Sequence, residues 1–204
     1  MLMRDAAFSL ADIILGCEVE DSTEKAPQCF VEDYDLVSSE GFYFGYTQDL
    51  SPLGFTIALK GGVPNRMGGY VNAPLIHVSG NHFKMKNSNA DLYLGKEGGL
   101  KIKTNLIPLE KLEGYKRVSE SDSRYLGRYE SKELGTYYEV VEEDGLLYFN
   151  HRRNGKNTLY KISGDKFATG GPMTYTIEFV KEADAIKGFK LSGGRVRNIR
   201  FEKI

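Results

Sequence analysis

The feature that most constrains the fold of this 204-residue chain is an internal repeat. Four short segments of the first half recur in the same order in the second: residues 41–43, 75–83, 99–102 and 109–112 match residues 127–129, 159–167, 188–191 and 201–204. The offset drifts from 86 to 84 and then to 89 and 92, as small insertions in loops would produce. Two copies are too few for an open solenoid, so each copy is predicted to close on itself as a domain.

Within each copy the residue pattern predicts short strands joined by tight turns. The pair Asp144-Gly145 separates two apolar runs, and this is a strong hairpin signal because both turn residues need positive φ. Residues 79–81 and 163–165 are predicted to form the equivalent turn of each copy. Residues 55–60 alternate between large apolar and other side chains, which is typical of a half-buried strand. Turn signals recur about every 8–12 residues, the spacing of a barrel or sandwich with about eight strands per copy.

The predicted architecture is therefore all-β, with two tandem eight-stranded antiparallel barrels over residues 31–114 and 122–204. The polar segment 113–122 is predicted to link them. Residues 1–30 are predicted to form a short N-terminal helix and a linker, because apolar side chains within residues 8–15 fall on one helical face.

Charge argues against a polyanionic partner. The formal net charge is −1, and neither half of the chain is strongly basic, so neither nucleic acid nor an acidic membrane surface is expected to bind. No stretch approaches the roughly 20 apolar residues that span a bilayer, so no membrane association is expected.

The N-terminal region bears on localisation and redox state. Residues 14–17 are similar to a lipoprotein cleavage box, but Asp5 and Asp12 interrupt the apolar region that a signal peptide needs. We therefore favour an amphipathic helix and a cytoplasmic location. Cys17 and Cys29 could pair or remain free thiols, and no CxxC metal or redox spacing is present.

Three short motifs are similar to those of penicillin-recognising enzymes. Residues 22–25 match S-x-x-K, residues 70–72 are similar to the second element, and residues 103–105 lie one residue from K-T-G. The Ser and the Lys must share one helical turn for the Lys to deprotonate the Ser, but Ser22 lies in a polar stretch closed by Pro27. The intervals are also too short for the α/β domain that positions these motifs. We predict no catalytic residue and no cofactor.

Basic and histidine residues supply the other candidates for chemistry. His77, His82 and His151 lack the companion ligands that a metal site needs, so no metal is predicted. The candidate ligand-binding or partner-binding residues are the members of the basic clusters: His151, Arg152, Arg153, Arg195 and Arg197. Arg side chains suit an anion or a carboxylate, although alternating Arg residues on a strand are also typical of a solvated face.

A family resemblance covers about 80 residues of the second half. It rests on residues 125–138, 144–147, 188–191 and 193–201. These segments resemble the C-terminal lipocalin-like domain appended to serine hydrolases of the class C β-lactamase and D-aminopeptidase type. The first half resembles the preceding barrel of such three-domain enzymes, and residues 8–15 would match the helix that follows the hydrolase domain.

The resemblance implies an accessory role rather than catalysis. In that family the barrels shape access to the hydrolase site, contribute a loop to it or mediate dimerisation. The hydrolase domain is not among these 204 residues, so no catalytic residue can be carried over. The expected function is a non-catalytic accessory module, with a serine hydrolase domain or subunit, or a second copy of the chain, as partner. The alternative is a free-standing lipocalin-like carrier of a small apolar ligand.

Overall fold

A computed structural model describes residues 39–68, 72–86, 91–94, 99–102, 107–115, 120–171 and 173–204. These residues form sixteen strands and one short 3₁₀ helix, which confirms the all-β class. The predicted N-terminal helix, Cys17, Cys29 and Ser22 lie outside the described residues.

The first eight strands pair antiparallel in chain order and form a curled sheet in which β8 pairs with β1. The pairing between β3 and β4 is short, with two residue pairs. The strands are β1 (Gly41–Tyr46), β2 (Pro52–Lys60), β3 (Val63–Met67), β4 (Ala73–Ser79), β5 (His82–Met85), β6 (Asp91–Leu94), β7 (Gly99–Ile102) and β8 (Ile107–Leu112).

The second eight strands form a closed antiparallel barrel in which β16 pairs with β9. The 3₁₀ helix (Glu120–Tyr125) precedes the barrel. The strands are β9 (Gly127–Ser131), β10 (Thr136–Glu143), β11 (Leu146–His151), β12 (Gly155–Ser163), β13 (Lys166–Thr169), β14 (Thr176–Glu182), β15 (Ala185–Gly193) and β16 (Val196–Lys203).

The matched segments of the sequence repeat occupy equivalent positions in the two sheets. Tyr43 and Tyr129 lie on the first strand of each sheet, and each phenol donates a hydrogen bond to the carbonyl four residues earlier, at 2.7 and 2.6 Å. The same register shift occurs at the turn before β5 and before β13. Gly41 and Gly127 both have positive φ, which a side chain rarely adopts, and each packs against a Lys of the closing strand.

Aromatic side chains fill the interior of the second barrel. Alternate residues of each strand point inward, so the aromatic and aliphatic positions of all eight strands converge. Phe189 has Phe149, Phe179 and Phe201 around it, with ring centroids 4.8–5.8 Å apart. The buried core comprises Tyr125, Tyr129, Tyr138, Val140, Leu147, Phe149, Leu159, Phe167, Ile177, Phe179, Ile186, Phe189, Leu191 and Phe201.

The two sheets also pack against each other. Phe42 of β1 stacks on Tyr160 of β12 with ring centroids 4.1 Å apart, and Phe44 packs with the buried Ala168 of β13. Tyr115, which follows β8, also pairs with the second barrel. Its N–H donates to the Leu159 carbonyl at 2.8 Å, and its carbonyl accepts from Leu147 N–H at 3.1 Å.

A candidate site at the open end of the second barrel

The second barrel has two different ends. Consecutive antiparallel strands run in opposite directions, so the connections β9–β10, β11–β12, β13–β14 and β15–β16 share one end. We call this the open end. The 3₁₀ helix precedes the start of β9 and therefore lies at the other end, which we call the capped end.

At the capped end a network of polar groups surrounds Asp165, in the turn between β12 and β13. Its carboxylate accepts a hydrogen bond from the Tyr125 hydroxyl, forms an ion pair with Lys181 and lies 3.4 Å from Arg124 Nη2. Burial would raise the pKa of Asp165, but the hydrogen bonds from Lys181 and Tyr125 and the charges of Lys181 and Arg124 hold it below its usual value. Burial and the neighbouring Asp165 raise the pKa of Tyr125 to about 12. The charged and polar groups of this network are therefore paired with one another within the protein.

At the open end a pocket of about 400 Å³ enters the barrel mouth. Three structural elements supply most of its wall: the β9–β10 turn, the first residues of β10, and the end of β11 with its following turn. The lining residues are Leu134, Gly135, Thr136, Tyr137, Tyr138, His151, Arg152, Arg153, Leu191 and Phe201. The volume lies within the range of small-molecule sites.

His151 fixes the shape of the turn that carries the two arginines. The Arg153 backbone N–H donates to His151 Nδ1 at 3.2 Å, which leaves the ring proton on Nε2, 3.1 Å from Thr136 Oγ1. The ring also lies against the Tyr138 ring, with centroids 4.5 Å apart. Both ring nitrogens are therefore used within the protein, and His151 orients the turn rather than offering a free nitrogen to a ligand.

Burial, followed by the charges of Arg153 and Arg152, lowers the pKa of His151 below its usual value. The imidazole is therefore neutral at neutral pH. The positive charge at the pocket consequently belongs to the two guanidinium groups.

Arg152 and Arg153 lie in the β11–β12 turn and are exposed. Within the described ranges, no Asp or Glu carboxylate lies within ion-pair distance of either guanidinium. Two neighbouring guanidinium groups without a carboxylate partner in the described part of the chain create a local positive potential and offer several N–H donors.

The inner wall of the pocket is apolar, and a buried hydroxyl lies on the neighbouring strand, outside the lining. Tyr138 stacks on Phe149 at 4.3 Å, and Phe201 lies edge-on to Tyr138 at 5.3 Å. Ser131 pairs with Thr136 across the β9–β10 ladder and is only 1% exposed, yet its Oγ has no hydrogen-bond partner among the described residues. A buried polar atom without a partner is rare and costs stability.

The other two predicted site residues lie apart from the pocket lining. Arg195 is exposed in the β15–β16 turn. Arg197 connects the two sheets: its Nη2 donates to Ser51 Oγ at 2.8 Å and lies 3.4 Å from the Asp49 carbonyl, while its Nη1 donates to the Gly194 carbonyl at 2.7 Å. The structure thus brings together His151, Arg152 and Arg153, and uses Arg197 in the contact between the sheets.

The remaining chemical candidates form no site within the described part of the chain. His77 Nε2 lies 2.9 Å from the Gly80 carbonyl, and His82 Nε2 lies 3.0 Å from Asp91 Oδ1. The described residues contain no group of three or more His, Cys, Asp or Glu placed to hold a metal ion. Residues 103–105 and most of 70–72 lie outside the described ranges. No helix among the described residues is long and apolar enough to cross a membrane.

No protein-family model matches the chain, and a search of curated protein sequences found no match.

Sequence reasoning missed the inner wall of the pocket. Thr136 and Tyr138 belong to it because alternate residues of β10 point inward, and this alternation is visible in the sequence. Leu191 and Phe201 lie 40 and 50 residues after His151 in the chain, so the sequence pattern predicts their burial but not their proximity to His151.

Proposed function

We propose that this chain is a non-catalytic accessory module of a serine hydrolase of the β-lactamase type, built from two lipocalin-like barrels. Its role is to shape access to the hydrolase site or to mediate assembly. The family resemblance of residues 125–138 and 193–201 suggests this class.

The observation that carries the proposal is the filled interior of the second barrel. Phe149, Phe167 and Phe189 are each at most 1% exposed and occupy the space in which a carrier would hold its ligand. A barrel packed in this way is a rigid scaffold, and its interactions with other molecules fall to its ends and outer surface.

The same observation weighs against the carrier of a small apolar ligand. Such a carrier needs an enclosed apolar cavity, whereas the pocket at the open end has two arginines and a histidine among its lining residues. We therefore rank the carrier second.

The test is immunoprecipitation of the chain from a lysate of its source cells after labelling with a fluorescent fluorophosphonate. Such a probe phosphonylates the activated serine of a serine hydrolase with loss of fluoride, and the adduct is not turned over. We expect a labelled hydrolase in the precipitate, either as a separate polypeptide or as the polypeptide that contains these residues. As a control, excess purified chain should compete for the antibody and the partner and remove the labelled hydrolase from the precipitate.

Labelled proteins in the lysate but none in the precipitate would overturn the accessory role. Labelling of the purified 204-residue chain itself would overturn its non-catalytic character, so the two halves of the proposal fail separately.

A further inference from the structure

The open-end pocket combines features that select one chemical class of ligand. Positive charge is the first. Arg152 and Arg153 both line the pocket, and no described carboxylate neutralises them. The backbone bond from Arg153 to His151 and the contact of His151 with Thr136 hold the turn against the barrel wall. The guanidinium groups are therefore placed beside the cavity by a fixed scaffold.

Apolar surface is the second feature. Tyr138, Leu191 and Phe201 form the inner wall, and Leu134, which is 53% exposed, extends it to the rim. An inorganic anion would leave this surface in contact with water, whereas an apolar group attached to the anion would cover it.

We propose that the open-end pocket binds a small organic anion, with its acidic group at Arg152 and Arg153 and its apolar portion against Tyr138, Leu191 and Phe201. Carboxylates are the simplest members of this class, because the planar guanidinium fork matches them with two parallel hydrogen bonds. The proposal concerns this chain alone and does not depend on the hydrolase partner.

The test is an NMR titration of the ¹⁵N-labelled chain with 3-phenylpropionate, which carries a carboxylate and an apolar ring. We expect saturable shifts of the backbone amides of Gly135 and Arg153. Two probes separate the contributions: 3-phenylpropylamine keeps the ring and reverses the charge, and inorganic phosphate keeps the charge without the ring. We expect both to bind more weakly than 3-phenylpropionate.

The variant Arg152→Gln/Arg153→Gln is expected to weaken binding of 3-phenylpropionate by about tenfold or more, because charge-assisted hydrogen bonds are lost. The matched control is Arg195→Gln/Arg200→Gln, which makes the same change of charge at two exposed residues outside the lining. We expect it to bind within about a factor of two of the unmodified chain. The dispersion of the same spectra shows that each variant is folded.

Absence of saturable shifts at Gly135 and Arg153 would overturn the proposal, as would equal affinity of the Arg152→Gln/Arg153→Gln variant. Equal binding of 3-phenylpropylamine would overturn the role of charge. Equal binding of phosphate would overturn the role of the apolar wall.

Discussion

The two ends of the second barrel differ in whether their charged and polar groups have partners within the protein. At the capped end, Asp165 is paired with Tyr125, Lys181 and Arg124, and the Tyr125 ring packs edge-on against Phe167 of the core. At the open end, Arg152 and Arg153 lack described carboxylate partners. Polar groups paired within the protein contribute to folding, whereas unpaired groups beside a cavity are available to a ligand. The capped end therefore stabilises the fold, and the open end is the place to look for binding.

The largest expected effect on stability comes from truncating Phe167, at the capped end. Phe167 is fully buried and contacts Tyr115, Tyr125 and Phe179. We expect Phe167→Ala to lower the free energy of unfolding by about 3–5 kcal/mol, measured by chemical denaturation. Leu134→Ala at the open-end rim is the control and should change it by about 0.5 kcal/mol or less. A similar loss from both variants would erase the distinction between the ends.

The next effect concerns the charge network of the capped end. Asp165→Asn leaves Lys181 and Arg124 without their carboxylate, and we expect a loss of about 1–2 kcal/mol, at the low end for a charged hydrogen bond because Asp165 is partly exposed. Asp184→Asn, in the exposed β14–β15 turn, is the control and should be nearly neutral. An unchanged free energy of unfolding for Asp165→Asn would mean that the network does not stabilise the fold.

The acid dependence of stability sharpens the same point. The pKa of Asp165 is lower in the folded protein than in the unfolded chain, so its contribution is present above the unfolded value of about 4. That contribution is lost as the pH falls through the lower folded pKa. Denaturation curves across this range should show a smaller acid-induced loss in Asp165→Asn than in the unmodified chain, and equal losses would contradict the pairing.

A smaller effect of opposite sign is expected at the open end. Ser131→Ala removes a buried hydroxyl that has no partner in the described part of the chain, so thermal and chemical denaturation should show unchanged or higher stability, by up to about 1 kcal/mol. The control is Thr169→Val, because Thr169 Oγ1 is equally buried but accepts a hydrogen bond from Tyr175 N–H at 3.0 Å. We expect that variant to be less stable. A loss of stability in Ser131→Ala would show that its hydroxyl is already satisfied.

The smallest effect is electrostatic. Because burial and the two neighbouring arginines lower the pKa of His151, the unfolded chain binds the proton more readily near pH 6, and stability rises with pH there. An NMR titration of the His151 ring should give a pKa below 6.5, and Arg152→Gln/Arg153→Gln should raise it only part of the way, since burial is the larger cause. A pKa unaffected by that variant would place the guanidinium groups away from the ring.

Local signals in the sequence predicted much of this structure, and long-range contacts account for the rest. Asp144 and Gly145 both have positive φ, which confirms the predicted hairpin, because two adjacent residues and their flanking runs determine that turn. His151, Arg152 and Arg153 are consecutive, so a prediction that grouped them needed no knowledge of the fold. The sequence pattern also groups Arg197 with them, but Arg197 contacts Ser51 in the β1–β2 connection, a contact set by how the two sheets pack and not by any local pattern.

The most direct test of the division between the two ends is the affinity of Asp165→Asn for 3-phenylpropionate, measured beside that of Arg152→Gln/Arg153→Gln under conditions in which both are folded. The account predicts that Asp165→Asn binds like the unmodified chain despite its lower stability, whereas the arginine variant binds about tenfold more weakly at nearly unchanged stability. If Asp165→Asn lost affinity while remaining folded, or if the arginine variant lost stability and kept its affinity, the assignment of folding to the capped end and binding to the open end would be contradicted.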